Sequence, residues 1–307
     1  MNSKLQFAQD APAETRASVT YHLPAEALRG AVTTYYLVKV TGPGVVWDQI
    51  FPEWPNFRLI LSGEWEANFP GEPRQPVPAV GMSGALERAL WAGGSEGVMV
   101  GVGLMPEGWS RFTDQGADRF TNLLRPLADV IGDAADDLHR RLVAAAREND
   151  PDAAMFAVLD EVLGRILAAR PQAVEAAEVA HAHAALQDPH TQTVADWAEA
   201  VGMSARTLER FSNRYFGLSP KRLLRRQRIL RTLAAMREQP GGAWSDQLDA
   251  QFVDQAHFIH EFKFYMGVSP NTYLAREQPF MAEAWKRRKA LLGAPVQVLQ
   301  PPSKARA

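Results

Sequence analysis

Apolar and polar positions alternate differently in the two halves of this 307-residue chain. Between about residues 19 and 112, short apolar and aromatic runs are separated by clusters such as Gly42-Pro43-Gly44 and Phe69-Pro70-Gly71. Short runs bounded by turn residues are typical of antiparallel strands. We therefore expect a β-rich, small barrel-like domain over residues 1–130, with strands that include residues 33–40, 57–61 and 97–104.

Aromatic residues are concentrated in this first half, where five of the eight tryptophans precede residue 110. An aromatic-rich barrel can enclose an apolar ligand, which would make a small-molecule effector one of the partners. The alternative is that the rings simply fill the barrel interior. The composition leaves both interpretations open.

The spacing becomes helical between about Asp118 and Gln187. Asp133 to Arg147 is alanine-rich, and Asp150-Pro151 is typical of the cap and first turn of a helix reaching Ala169. This helix carries one apolar stripe, formed by Met155, Val158, Leu159, Val162, Leu163 and Ile166. Pro171 then opens a further helix. We assign residues 131–189 to a helical connector, whose stripe can pack on the sheet or on a second copy of the chain in a homodimer.

A helix-turn-helix pattern follows from Thr193. Thr193 and Asp196 form a capping signature, Gly202 supplies a corner, and Ser204 caps a second helix. One face of the first helix is apolar (Val194, Trp197, Ala198 and Val201), as is one face of the second (Leu208, Phe211 and Tyr215). The opposite face of the second helix carries Arg206, Glu209, Arg210 and Asn213. A helix that reads DNA needs this division between anchoring and polar faces.

The pattern repeats fifty residues later. Leu208 to Pro220 (LERFSNRYFGLSP) aligns with Phe258 to Pro270 (FIHEFKFYMGVSP). The second unit begins near Trp244, with Leu248 and Phe252 buried and Asp254 as cap. Its second helix, Gln255 to Met266, exposes Ala256, His257 and His260, with Lys263 at the edge. Duplicated units this small must pack around the segment that joins them.

That joining segment is basic. Lys221 to Arg231 reads KRLLRRQRILR and contains no acidic residue, although the formal net charge of the chain is −2. Such a run is usually a solvated face, but beside a helix of the DNA-reading type it indicates phosphate contact. Residues 281–307 are expected to form a C-terminal tail.

The sequence gives little support for a metal site, a membrane segment or an enzyme active site. The chain has no cysteine, no apolar run of the roughly 20 residues that span a membrane, and no signal-peptide pattern. His181 and His183 are two positions apart and cannot chelate one metal ion from a helix. No phosphate loop or nucleophile motif occurs. We expect a cytoplasmic protein that is not an enzyme and has no cofactor, metal or membrane partner.

Residues 193 to 274 resemble the double helix-turn-helix domain of the AraC/XylS family of bacterial transcription regulators. The resemblance rests on Gly202-Met203-Ser204, Arg206-Thr207-Leu208, Arg210, Gly217 to Pro220, Asp254 to Phe258, Phe262-Lys263, Gly267 to Pro270 and Tyr273. It implies double-stranded DNA as the partner, with two helices in successive major-groove segments. Three positions depart from the family pattern: Ser212, Gln251 and His260.

The resemblance implies base-facing positions at Arg206, Glu209, Arg210, Gln255, Ala256, His257 and His260. Together with the basic run, it gives expected phosphate contacts at Ser204, Asn213, Lys221, Arg222, Arg225, Arg226 and Lys263. Residues 98–127 resemble more weakly the sensor-like domains of some family members.

The predicted fold class is α+β, with the β-rich domain, the helical connector and an all-α DNA-binding domain at residues 190–280. The predicted function is a sequence-specific transcription regulator. The alternative is a ligand-binding or enzymatic N-terminal domain whose DNA-binding half is vestigial.

Overall fold

A computed structural model describes residues 15–170, 175–238, 252 and 254–302. Its N-terminal part is β-rich, and all strand pairs recorded in it are antiparallel. The strands are β1 (Arg16–His22), β2 (Val32–Thr41), β3 (Val46–Ile50), β4 (Asn56–Ser62), β5 (Trp65–Asn68), β6 (Gln75–Pro76), β7 (Val80–Ser83), β8 (Leu90–Gly94), β9 (Gly97–Leu104) and β10 (Leu124–Pro126). The three strands predicted at residues 33–40, 57–61 and 97–104 are confirmed as β2, β4 and β9.

The strands form two sheets. One has six strands in the order β1-β2-β9-β4-β7-β10, and the other has four in the order β3-β8-β5-β6. No strand pair in the described residues joins the sheets into a closed ring, so the barrel-like domain consists of two open sheets. The helical region was expected to begin near Asp118, but Leu124–Pro126 instead pairs with β7. Three residues are too few to give a strand its own period-2 pattern.

Eleven α-helices occur in the described residues, and no helix there is long and apolar enough to cross a membrane. They are α1 (Pro106–Phe112), α2 (Ala128–Ile131), α3 (Ala134–Ala145), α4 (Pro151–Ala169), α5 (Glu175–Gln187), α6 (Val194–Ala200), α7 (Ala205–Phe216), α8 (Pro220–Glu238), α9 (Gln255–Met266), α10 (Pro270–Leu274) and α11 (Met281–Leu292).

The apolar stripe of α4 lies inside the molecule. Met155, Leu159 and Leu163 are buried in the same cluster as Phe57 and Val102 of the six-stranded sheet. Asp150 caps the helix as expected, because its carboxylate accepts the N–H of Ala153. The stripe is therefore buried within the chain, in a cluster that it shares with α3 and the six-stranded sheet.

The two histidines of α5 lie in different surroundings. His183 is fully buried, and its Nδ1 lies 3.1 Å from a carboxylate oxygen of Glu107 in α1. His181 is exposed, and its Nε2 lies 3.1 Å from the Ala200 carbonyl oxygen. The pair does not face one common point. Pro171, expected to open this helix, lies outside the described residues.

The repeat predicted from the sequence gives two helices of equal length. Helices α7 and α9 each have twelve residues, fifty positions apart, and each ends at a glycine with positive φ. Ser204 and Asp254 accept backbone N–H groups at their first turns. Thr193 and Asp196 form the expected capping box of α6. The segment predicted to form the first helix of the second unit, with Trp244, Leu248 and Gln251, lies outside the described residues.

The segment expected to be a C-terminal tail is folded. Residues 281–292 form α11, followed by a 3-10 turn at Gln297–Leu299. Trp285, Val296 and Val298 are buried in the core of the helix-turn-helix region, and Ala284 is buried against the N-terminal sheets. The sequence contains no local sign of this, because part of the covering surface is remote in the chain: the ring centroid of Phe51, more than 200 positions earlier, lies 5.7 Å from that of Trp285.

Candidate nucleic-acid interface

Helix α7 presents the polar face that the sequence predicted. Arg206, Glu209 and Arg210 are exposed, whereas Leu208 on the opposite side is fully buried. Ser212, a departure from the family pattern, is buried, and its hydroxyl donates to the Glu209 carbonyl. The three expected base-facing side chains of the first unit are therefore free to reach a groove.

Helix α9 repeats this division. Gln255, Ala256 and His260 are exposed, and Phe258 is fully buried. His257 is half-buried, and its ring centroid lies 5.6 Å from that of Phe252. The outer face is less basic than that of α7, because none of its four expected base-facing positions carries an arginine or a lysine.

Several expected phosphate contacts are also accessible. Ser204, Lys221 and Lys263 are exposed. Ser204 is engaged as the cap of α7, where its hydroxyl oxygen lies 3.1 Å from the N–H of Thr207. Asn213 is half-buried, and its amide donates to the Glu209 carbonyl at 2.9 Å. These contacts hold the polar side chains close to the surface of α7.

The basic run on α8 is not a continuous solvent-facing surface. Nε of Arg222 donates to Glu87 at 2.6 Å, in the loop before β8. Arg225 forms a two-point contact with Glu261 of α9, at 2.9 and 2.5 Å. Burial is the largest single effect and acts to raise the pKa of Glu261, but the hydrogen bond from Arg225 and the positive charges around it together hold that pKa below its ordinary value. Both arginines are half-exposed and already paired with carboxylates.

For Arg226, phosphate contact is excluded in this conformation because the side chain is fully buried. Its guanidinium carbon lies 4.1 Å from the ring centroid of Trp54, and Nη1 donates to the Leu86 carbonyl at 2.9 Å. Burial lowers the pKa of Arg226 to about 9, so the side chain keeps its charge at neutral pH. This residue joins the helix-turn-helix region to the N-terminal domain.

A polar groove of about 490 Å³ lies between α8, α9 and the start of α6. Lys221, Arg225 and Arg228 line it from α8, with His257 and Glu261 opposite on α9. The groove thus gathers expected DNA-contacting residues of both units around one carboxylate. Positive side chains that border two reading helices can follow a phosphate backbone.

The N-terminal domain also contacts the C-terminal ends of both reading helices. Thr121 donates to the Gly217 carbonyl at 2.5 Å, and the Ala89 N–H donates to the Tyr265 carbonyl at 2.7 Å. The Gln49 side chain donates to the Met266 carbonyl. These carbonyls have no partner within their own helix, so the contacts stabilise both helix ends.

The two glycines at these ends also permit the close approach. Gly217 and Gly267 have φ of 79° and 69°, a backbone conformation that residues other than glycine rarely adopt. A Cβ added to Gly217 would lie 2.8 Å from the Thr121 hydroxyl, and one added to Gly267 would lie 2.4 Å from Pro70. Each glycine ends a helix and leaves room for the neighbouring domain.

An apolar cavity of about 100 Å³ lies between the two sheets. Tyr36 and Met99 of the six-stranded sheet and Trp65 of the other sheet line it, and Phe280 and Ala284 of the C-terminal segment close one side. The sequence left open whether the aromatic rings fill the interior of this domain. The cavity shows that they do not fill it completely.

The sequence analysis missed the acidic partners of the basic run. Glu87 and Glu261 are both buried, and each binds an arginine of α8. A signal existed for Glu261, which is the only acidic residue of α9. No local signal indicates Glu87, which is 135 positions away from Arg222.

The comparisons with known proteins agree with this geometry. Residues 197–276 match the family model described as a helix-turn-helix domain. This match covers all of the motifs quoted for the AraC/XylS resemblance, so the segment is an AraC-type helix-turn-helix domain. No curated protein sequence matches the chain.

Similar solved structures include ToxT from Vibrio cholerae O395, with 13% identity and a TM-score of 0.39 over 85% of this chain and 97% of that one. Another is unsaturated fatty acid bound wild-type ToxT from Vibrio cholerae strain SCE256, with 13% identity and a TM-score of 0.37 over 87% and 96%. The AraC-like transcriptional activator CuxR has 14% identity and a TM-score of 0.29 over 71% and 87%. These scores describe a distant similarity only.

Proposed function

We propose that the protein is a sequence-specific, DNA-binding transcription regulator that reads two successive major-groove segments. The observation that carries this proposal is the pair of twelve-residue helices, α7 and α9, each with a buried apolar face and an exposed polar one. Arg206, Glu209 and Arg210 read the first segment, because arginine can meet guanine with two hydrogen bonds. Gln255, Ala256, His257 and His260 read the second segment.

In this proposal, the residues that contact phosphate are only part of the basic run on α8, together with side chains next to it. Lys221, Lys263 and the groove between α8 and α9 contact the backbone, with Ser204 and Asn213 beside the first reading helix. Arg222 and Arg225 contribute only when they exchange their carboxylate partners for phosphate, and Arg226 serves the domain junction. Each phosphate contact adds to the salt dependence of binding.

The N-terminal domain acts as the regulatory part. It donates hydrogen bonds to the C-terminal ends of both α7 and α9, so a conformational change in this domain would reach both reading helices directly. The cavity between its sheets is the proposed effector site. A ligand alters the equilibrium only if it binds one arrangement better than the other.

Selection of bound sequences from a random DNA pool, at two salt concentrations, tests the proposal. We expect enrichment of a motif with two blocks about one helical turn apart. Binding without enrichment would indicate a protein that binds the phosphate backbone without reading the base sequence. If neither the full chain nor residues 190–280 bind DNA at physiological salt, the alternative of a ligand-binding protein with a vestigial DNA-binding half is favoured.

A further inference from the structure

The outer face of each reading helix carries a stripe of three exposed residues, spaced four positions apart. The two stripes are Arg206, Arg210 and Arg214 on α7, and Ala256, His260 and Phe264 on α9. They occupy equivalent positions of the fifty-residue repeat. Residues four positions apart lie on the same side of a helix, so each stripe presents one continuous line of side chains. The two lines therefore have the same position on their helices and different chemistry.

Phe264 is a large apolar side chain on this otherwise polar face, and it is 41% exposed. Its ring centroid lies 5.0 Å from that of the buried Tyr265, and the guanidinium carbon of Arg225 lies 5.8 Å from it. Arg225 is held in turn by Glu261, three positions before Phe264. The ring thus has defined neighbours on one side and is open to solvent on the other.

The two stripes suit different bases. Guanine presents two acceptors, O6 and N7, in the major groove, and the fork of an arginine can meet both. Thymine presents one acceptor and a C5-methyl group, which no other base presents there. Alanine and phenylalanine side chains are suited to contact with that methyl group. The arginine stripe of α7 therefore favours guanine, whereas Ala256 and Phe264 favour thymine.

The remaining polar residues of α9 agree with an A·T base pair. Gln255 is exposed, and its amide can form two hydrogen bonds with adenine, the partner of thymine. No arginine occurs on α9, so this helix lacks the fork that reads guanine on α7. Lys263, its one lysine, is assigned to phosphate in the proposed function.

We propose that α9 selects thymine in the second DNA segment, with the Phe264 ring packed against the C5-methyl group of one thymine. This inference rests on the proposed reading of DNA by α7 and α9, and it adds Phe264 to the residues that read bases. Contact between the ring and the methyl group removes apolar surface of both from water. That gain is lost when the base at this position has no methyl group.

The test removes one methyl group at a time from the DNA. Each thymine of the enriched site is replaced singly by uracil, which pairs with adenine in the same way but lacks the C5-methyl group, and fluorescence anisotropy gives the Kd of the full chain. We expect one replacement to weaken binding about fourfold, which corresponds to the roughly 0.8 kcal/mol of one buried methyl group.

The affected thymine should lie in the block whose base preference is unchanged in Arg210→Ala. An enriched site with no thymine on either strand of that block would overturn the inference. Equal affinity after every uracil replacement would overturn it as well.

Phe264→Ala assigns the methyl contact to this ring. In that variant, the ratio of the uracil Kd to the thymine Kd at the affected position should fall from about four to about one. Leu291→Ala, which removes another exposed apolar side chain from α11, is the control and should keep the ratio. An unchanged ratio in Phe264→Ala contradicts the inference even if the variant binds DNA more weakly, because a purely structural role would weaken binding to both DNAs equally.

The outcome for the proposed function is separate. A two-block motif in which no uracil replacement changes the affinity refutes only the selection of thymine. Failure of the wild-type chain to enrich any motif refutes the proposed reading of DNA, and the selection of thymine with it.

Discussion

The guanidinium carbon of Arg226 lies 4.1 Å from the ring centroid of Trp54, in the N-terminal domain, and both side chains are fully buried. A cation over a tryptophan face is attracted by the ring, and the attraction grows when water is excluded. Nη1 of Arg226 also donates to the Leu86 carbonyl. This contact links the helix between the two reading units to the sheets that enclose the cavity.

Substituting Arg226 by methionine should lower the free energy of unfolding by roughly 1–3 kcal/mol, because the buried Leu86 carbonyl loses its donor. The slope of log K against log salt for DNA binding should stay unchanged, because Arg226 is not at the phosphate surface. Lys221→Met is the matched control: it should change stability by less than about 0.5 kcal/mol and reduce the slope by about one. A shallower slope in Arg226→Met would show that this side chain reaches phosphate after the domains separate.

Arg210→Ala tests the reading of bases by the first helix. The side chain is exposed on α7, and its loss should cost about 1–3 kcal/mol of binding and relax the preference at one position of the site. Competition assays against single-base variants of the selected site measure both effects. Arg140→Ala, exposed on α3, is the control and should leave the affinity unchanged. Equal weakening on every sequence would assign Arg210 to the phosphate backbone.

The local pattern of the sequence was sufficient for the reading helices. Ser204 and Asp254 cap them, Gly217 and Gly267 end them, and apolar positions recur at helical spacing between these points. All of these signals lie within a few residues of the element that they specify. The helices and their exposed faces could therefore be predicted before any tertiary contact was known.

The role of the basic run on α8 could not be predicted from its local pattern. A solvated phosphate-binding face and a buried domain junction have the same local pattern of arginine and leucine. Tertiary partners such as the Leu86 carbonyl and the Glu87 carboxylate distinguish them, and these two lie about 140 positions earlier in the chain. Ala284 and Arg288 in the expected tail present the same difficulty, because the sheets that bury them are remote in sequence.

Glu261→Gln tests whether the groove between α8 and α9 faces DNA. Glu261 holds Arg225 by two hydrogen bonds, and its removal as a charge makes the groove more positive. We expect tighter binding at low salt and a salt slope steeper by about one, as one more phosphate is neutralised. Glu238→Gln, which removes an exposed partner of Lys289, is the control and should not change the slope. An unchanged slope in Glu261→Gln would place the groove away from the DNA backbone.

Asp48 connects stability to pH at the start of α11. One of its carboxylate oxygens accepts the N–H groups of Phe280 and Met281, both at 2.8 Å, and the side chain is buried. Burial raises the pKa of Asp48 from 3.8 to about 6, although these hydrogen bonds act in the opposite direction. The folded state therefore binds this proton more tightly than the unfolded state does. The associated stability is fully present below about pH 3.8 and is lost as the pH rises through about 6.

The Asp48→Asn variant removes this titration. A shift of about two pKa units corresponds to about 3 kcal/mol, so the variant should gain about that much stability relative to the wild type between pH 4 and pH 7. Its absolute stability at pH 4 should be lower, because one oxygen of Asp48 accepts the Gln49 N–H at 2.6 Å and the NH₂ group of asparagine cannot replace it as an acceptor. Denaturant unfolding of both proteins at several pH values measures the difference. Parallel stability curves for the two proteins would mean that Asp48 has an ordinary pKa, and hence that its carboxylate is hydrated where α11 meets the sheets.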